Sequence, residues 1–164
     1  MLVAAYPLAV GVVGLRRGFR MASFTVTTFI DRPPQDVFDF ATNPAKAALW
    51  QSGTESSKWS SEGPVRVGST LHGVGRLLGR ELVIDAEITE WNPPDLWELK
   101  FSTGPMSVEN SNRFESKDGG TQLIQHFQGE VGGFFKIAEG LAIKRVEKTI
   151  ETDGKTLKKL LEAK

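Results

Sequence analysis

The sequence predicts an α+β domain in which a curved antiparallel sheet wraps around one long C-terminal helix. Three observations carry this. A short helical stretch at Pro33–Leu49 precedes a long β-rich run from about Ser56 to Val131. Within that run, apolar and polar residues alternate with period two, as half-buried strands require. From about Gly133 to the end, apolar residues recur every three or four positions, the period of an amphipathic helix. A sheet folded around a single helix is not filled by its own side chains, so a cavity between them is expected.

The elements follow in order. Ser23–Ile30 alternates β-branched and aromatic residues and reads as a strand. Asp31-Arg32-Pro33-Pro34 ends it, and Pro34 suits the first turn of a helix that carries Val37, Phe38 and Phe40. Asn43-Pro44 breaks that helix, and a shorter one runs to Leu49, with Trp50 at its end. The serine-rich Gln51–Ser61 reads as a loop and an edge strand that includes Trp59. Ser69–Leu78 is a strand despite Gly73 and Gly75, which mark a bulge or a close approach.

Arg80–Trp91 puts Leu82, Ile84, Ala86 and Ile88 on one face and mainly charged residues on the other. After the Asn92-Pro93-Pro94-Asp95 turn, Leu96–Ser102 sets Trp97, Leu99 and Phe101 against Glu98 and Lys100. Met106–Ser116 sets Asn110, Asn112 and Phe114 against Glu109, Ser111, Arg113 and Glu115. Lys117-Asp118-Gly119-Gly120 is a hairpin turn. In Thr121–Val131, Leu123, Gln125 and Phe127 share a face. Along the final helix Ala138, Ala142, Val146, Ile150, Leu157 and Leu161 form a stripe, joined by Leu141 and Leu160. Asp153-Gly154 predicts a kink or an early stop there, because glycine disfavours helix interiors.

Bulk composition narrows the function. The 164 residues fit one domain with a substantial core. The absence of cysteine excludes disulfides, thiolate metal sites and cysteine nucleophiles. Twenty basic residues balance twenty acidic ones, so no global field draws nucleic acid or an anionic membrane. Ten phenylalanines and four tryptophans against one tyrosine make an aromatic set suited to a dry core or an apolar pocket wall.

Leu2–Leu15 is apolar or small and is followed by Arg16, Arg17 and Arg20. It is too short to span a bilayer, and its charge follows the apolar run, the reverse of a secretory signal. Residues 1–20 are therefore read as an extension outside the fold, with a weak membrane anchor as the alternative. Residues 21–164 are read as the ligand-binding domain, acting in the cytoplasm without stable membrane insertion.

The segments Ile30-Asp31-Arg32-Pro33-Pro34-Gln35-Asp36-Val37-Phe38, Val67-Gly68-Ser69, Ile88-Thr89-Glu90-Trp91-Asn92-Pro93-Pro94 and Asp118-Gly119-Gly120-Thr121-Gln122-Leu123 carry a resemblance to a known family. In this order they resemble the START-like (SRPBCC) superfamily, and within it the polyketide cyclase/dehydrase and lipid-transport group. The resemblance covers Ser23 to about Lys164. It implies a helix-grip fold with an internal pocket. Members include carriers of apolar ligands, polyketide aromatase/cyclases, co-chaperone modules and hydrolase-like or stress proteins, and fold alone does not choose among them.

Candidate chemistry is sparse. His72 and His126 are the only histidines. His126 falls on the face turned away from the helix. His72 is the candidate acid/base residue, set against the reading that it is a sheet-face histidine. Asn110, Asn112 and Gln125 share the inward face with Phe114, Leu123 and Phe127. Buried amides must be hydrogen-bonded, and a few polar groups in an apolar cavity orient a ligand. The competing reading is a bulge that shifts the register by one and returns them to water. Asp85 with Glu87, and Glu109 with Arg113, read as surface pairs. Gly73-Val74-Gly75 is not a dinucleotide fingerprint, and neither cofactor nor metal is expected.

The expected ligand-binding residues are Trp97, Leu99, Phe101, Asn110, Asn112, Phe114, Gln125, Phe127, Leu141 and Ala142. The expected partner is a small hydrophobic molecule such as a lipid or polyketide. A cyclase/dehydratase-like enzyme, with His72 as the proton-transfer group and Glu109 or Arg113 in reserve, is the second reading. An interaction module without ligand is the third.

Overall fold

The computed structural model describes residues 15–16, 19–77, 79–103, 106–132 and 139–163. Among the described residues, eight antiparallel strands form one sheet: β1 (Leu15–Arg16), β2 (Phe19–Ile30), β3 (Thr54–Trp59), β4 (Thr70–Leu77), β5 (Arg80–Asn92), β6 (Leu96–Thr103), β7 (Met106–Lys117) and β8 (Gly120–Gly132). The helices are α1 (Pro34–Ala41), the four-residue α2 (Ala47–Trp50) and α3 (Glu139–Glu162). Strand order is β1-β2-β8-β7-β6-β5-β4-β3. Strands β3 to β8 form a meander, and β2 returns to pair with the last of them from Phe19↔Gly132 to Ile30↔Thr121. The helix-grip architecture is thus present, with α3 packed across β2.

Strand β2 begins at Phe19 rather than Ser23. Ladder bonds use the backbone, so Phe19 and Arg20 pair with β8 although the side-chain alternation fades there. The β7–β8 hairpin turns through Asp118 and Gly119, both with positive φ (49° and 81°), the two-residue turn that suits twisted strands. Opposite the register shift between Thr54 and Ser56, a Cβ on Gly75 would run into the carbonyl of Gly53. Gly75 therefore marks the close approach its place in a strand predicts.

Strand β5 alternates as expected up to Ile88. A bulge between Ile88 and Glu90 then reverses the phase, so that Trp91 pairs with Trp97 and packs inward while Glu90 stays exposed. The turned tryptophan completes an aromatic cluster. Trp91 lies 5.1 Å from Phe38, 6.3 Å from Trp97 and 6.5 Å from Trp59, between ring centroids.

The dry core fills only one end of the sheet. Ile30, Val37, Phe38, Ile88, Phe114, Leu123 and Leu157 are all but fully buried there, with Leu161 at the end of α3. The tilted and edge-on aromatic pairs of this end each add about 0.5–1.5 kcal/mol beyond the area they bury.

The kink expected at Asp153-Gly154 is absent, and α3 runs unbroken from Glu139 to Glu162. Gly154 is buried against β2, and a Cβ there would collide with Thr28 Oγ1. Glycine is present for close packing, and tertiary contact overrides its weak propensity. Alanine would gain about 1 kcal/mol of helix propensity but overpack against a stiff β-branched side chain, which costs about 1–3 kcal/mol. Gly154→Ala is therefore expected to lower the melting temperature. In a Thr28→Ala background the obstruction is gone, and the same substitution should become stabilising. A thermal double-mutant cycle with no change of sign would show that the contact is not the cause.

Candidate functional site

The end of the sheet opposite the dry core is hollow. A cavity of about 390 Å³ lies between β4–β8 and the first half of α3. Leu82, Ile84 and Ala86 of β5 face it, as do Leu99 and Phe101 of β6 and Phe127 of β8. On the helix, Ala142, Val146 and Ile150 supply the opposite wall. The division follows from side-chain size. Leu157 and Leu161 meet large aromatics at the filled end, whereas Ala142 and Val146 leave space at the other.

Nine of the ten expected residues line this cavity: Trp97, Leu99, Phe101, Asn110, Asn112, Phe114, Gln125, Phe127 and Ala142. Leu141 does not, and is 58 % exposed. Leu141 lies about 100° round the helix from Ala142, on the side away from Ile143, Val146 and Ile150, which line the cavity. Of the tryptophans, Trp50 and Trp97 reach the cavity wall, while Trp59 and Trp91 pack at the filled end. Leu77 also borders the cavity. Leu78, Phe134 and Phe135, and Ala138 of the helical stripe, lie outside the described residues.

His72, the candidate acid/base residue, is the sheet-face histidine of the alternative reading. Its ring sits on the outer face, where Nδ1 donates to Asp85 Oδ1 at 2.7 Å, and the Asp85 side chain is 79 % exposed. It pairs with Asp85 across the sheet and does not line the cavity. The phase of β4, unreadable through its glycines, turns His72 outward. Glu109 and Arg113 likewise stand off the cavity wall. His126 faces away as expected, with Nδ1 2.9 Å from Thr25 Oγ1.

The three amides face inward because the β7–β8 register runs without interruption from Ser107↔Glu130 to Lys117↔Gly120. They form a relay. Asn110 Nδ2 donates to the carbonyl of His126 at 3.1 Å. Asn112 Nδ2 donates to Asn110 Oδ1 at 2.7 Å, and Gln125 Nε2 donates to Asn112 Oδ1 at 3.2 Å. A backbone carbonyl only accepts, so it dictates which end of Asn110 points at it, and that choice propagates along the chain. The relay ends in Gln125 Oε1, which is buried and has no hydrogen-bond partner among the described residues. Trp50 Nε1 is in the same condition, with the opposite polarity.

Asp153 is a cavity residue that sequence reasoning missed. It is 3 % exposed and lines the cavity from α3. Its Oδ1 accepts from the Ser52 backbone N–H at 3.0 Å, tying the helix to the turn after α2. Burial pushes its carboxyl above the ordinary aspartate range, against the pull of hydrogen bonds from the Ser52 N–H and hydroxyl. A signal existed: 142, 146, 150, 153, 157 and 161 lie on one helical stripe, so Asp153 is in phase with the apolar face.

This shift makes a pH prediction. A carboxyl that holds its proton more tightly when folded destabilises the fold above its folded pKa. The penalty fades as pH falls through that value toward the unfolded one. Asp153→Asn, whose carbonyl still accepts from Ser52, should melt higher than the parent near pH 7, with the gap closing near pH 4. A gap that widens on acidification would contradict this.

Among the described residues no group of three or more His, Asp or Glu side chains is placed to hold a metal ion. None of the described helices is long and apolar enough to cross a membrane.

The comparisons agree with this architecture. The family model described as polyketide cyclase/dehydrase and lipid transport matches residues 21–162. TTHA0849 from Thermus thermophilus superposes with a TM-score of 0.75 at 18 % identity, covering 86 % of this chain and 97 % of that one. The di-domain ARO/CYC BexL from the BE-7585A biosynthetic pathway gives 0.68 at 22 % identity, over 88 % of this chain and 51 % of its own. Ara h 8.0201 gives 0.66 at 13 % identity, over 88 % and 99 %. No curated protein matches the sequence significantly. With its β2–α1–α2 entry, meandering sheet and gripped terminal helix, the chain belongs to the polyketide cyclase/dehydrase and lipid-transport family of the START-like superfamily.

Proposed function

We propose that the protein binds a small hydrophobic molecule, a lipid, polyketide or similar metabolite, in the cavity between sheet and α3. The observation that carries this is a space of about 390 Å³ walled by aliphatic and aromatic side chains, with only a few polar groups. Removing apolar ligand surface from water supplies roughly 25 cal/mol per Å² before the costs of association. A ligand-free interaction module has less support, because aromatic side chains plug one end of the sheet and leave the other hollow.

A cyclase/dehydratase-like enzyme is the second reading, favoured by Asp153. A solved protein of the same fold is described as an ARO/CYC. Such chemistry needs a proton-transfer group within reach of the substrate, and a buried carboxyl with a raised pKa on the cavity wall fits that need better than the outward-facing His72.

Native mass spectrometry of purified protein, followed by extraction and identification of any retained molecule, tests the container reading. A retained apolar compound, or a thermal shift within a panel of lipids and polyketides, is expected. Absence of both would overturn it.

A further inference from the structure

The polarised relay names a functional group on the ligand. We propose that the cavity selects neutral apolar molecules that bear a hydroxyl, an alcohol or a phenol, which donates to Gln125 Oε1. This rests on the container reading above and goes beyond it by choosing among apolar ligands.

The polarity at the end of the relay is unmatched. The His126 carbonyl forces Asn110, then Asn112, then Gln125 to present donors in one direction. What remains at the end is an acceptor, not a donor, and turning any single amide over would set two oxygens face to face. An acceptor buried without a partner costs the empty protein the desolvation of that group, and a ligand hydroxyl offsets it. A ligand ether or ketone does not, because it also only accepts. The link from Gln125 Nε2 is the longest of the relay at 3.2 Å. The terminal amide torsion of glutamine is soft, so the amide plane can tilt its oxygen toward a ligand while the relay stays connected.

The same wall disfavours an anionic head group. Arg76 is the one basic residue that lines the cavity among the described residues, and its Nε donates to Glu55 Oε1 at 2.9 Å, with both side chains mostly exposed. Asp153 is the one acidic residue that lines the cavity among the described residues, and in its ionised form it would set like charge against a ligand carboxylate.

Four probes of one ring system separate the possibilities: naphthalene, 2-naphthol, 2-methoxynaphthalene and 2-naphthoate, titrated by calorimetry or tryptophan fluorescence. The wild type is expected to bind 2-naphthol about tenfold more tightly than 2-methoxynaphthalene, with 2-naphthoate the weakest. The methoxy probe is the critical control, since Trp50 Nε1 rewards any oxygen that accepts whereas Gln125 Oε1 rewards only one that donates. In Gln125→Leu the preference for the hydroxyl should collapse. If that variant fails to fold, the wild-type series decides alone. Equal binding of 2-naphthol and 2-methoxynaphthalene, or tightest binding of 2-naphthoate, would overturn the selectivity while leaving the container intact. If none of the uncharged probes binds, the selectivity is overturned, while the container reading is decided separately by the retained-molecule and thermal-shift tests.

Discussion

Replacing Phe114 by alanine is expected to cost about 3–5 kcal/mol, against a total stability of about 5–15 kcal/mol for a domain. The side chain is 2 % exposed and its ring meets Phe38 edge-on at 5.1 Å. It stands where the dry core ends and the cavity begins, since it belongs to the core cluster and also lines the hollow. Truncation would therefore enlarge existing space rather than open a void that neighbours can collapse into, which puts the loss in the upper part of the range. A drop in melting temperature of about 10 °C or more should follow, because 1 kcal/mol corresponds to about 2–4 °C at this size. Phe114→Leu keeps most of the volume and should lose far less. Equal melting temperatures for alanine and leucine would mean that Phe114 is not a keystone of the packed end.

The strands are readable where each residue's face is set by its neighbours. Leu82, Ile84, Ala86 and Ile88 alternate with charged residues, and the structure keeps that phase up to Ile88. The bulge after Ile88 is not readable, because nothing in Ile88-Thr89-Glu90-Trp91 distinguishes a strand that continues from one that slips by a residue. Asn110, Asn112 and Gln125 are found by phase alone, since an uninterrupted hairpin register carries the phase from Lys117↔Gly120 to the far end.

Most of the misses share a cause. Asp153 reads locally as a solvated residue beside a helix-breaking glycine. Its burial is decided by Ser52, 101 positions away, and the fit of Gly154 by Thr28 on β2. His72 is followed by Gly73 and Gly75, which carry no side chain to report a face, and its pairing with Asp85 on β5 places it outside. Leu141 departs from its expected place for a different reason: it is apolar and adjoins the stripe in sequence, yet its step of about 100° turns it to the side of α3 opposite Ile143 and Val146. Local pattern thus gives phase, while burial of polar groups depends on chain segments that meet only in the fold.

Filling the hollow should abolish binding without harming the fold. Ala86 is buried on β5 and its side chain borders the cavity, across the strand pair from Phe101. A cavity of about 150 Å³ suffices to hold benzene, so the phenyl ring added by Ala86→Phe takes on the order of a third of the space and stands in the ligand's way. In a filled core such a change costs about 1–3 kcal/mol through overpacking. Here the ring enters empty space and gains dispersion contacts that Ala86 lacks. The two expectations together are diagnostic: affinity for a naphthalene-sized probe falls by at least about tenfold, and the melting temperature of the ligand-free protein stays level or rises. A surface-binding ligand would not notice the substitution. Unchanged affinity in a well-folded Ala86→Phe protein would therefore move the binding site off the cavity altogether. A fall in both affinity and stability would mean that the space is already needed by side chains that move into it.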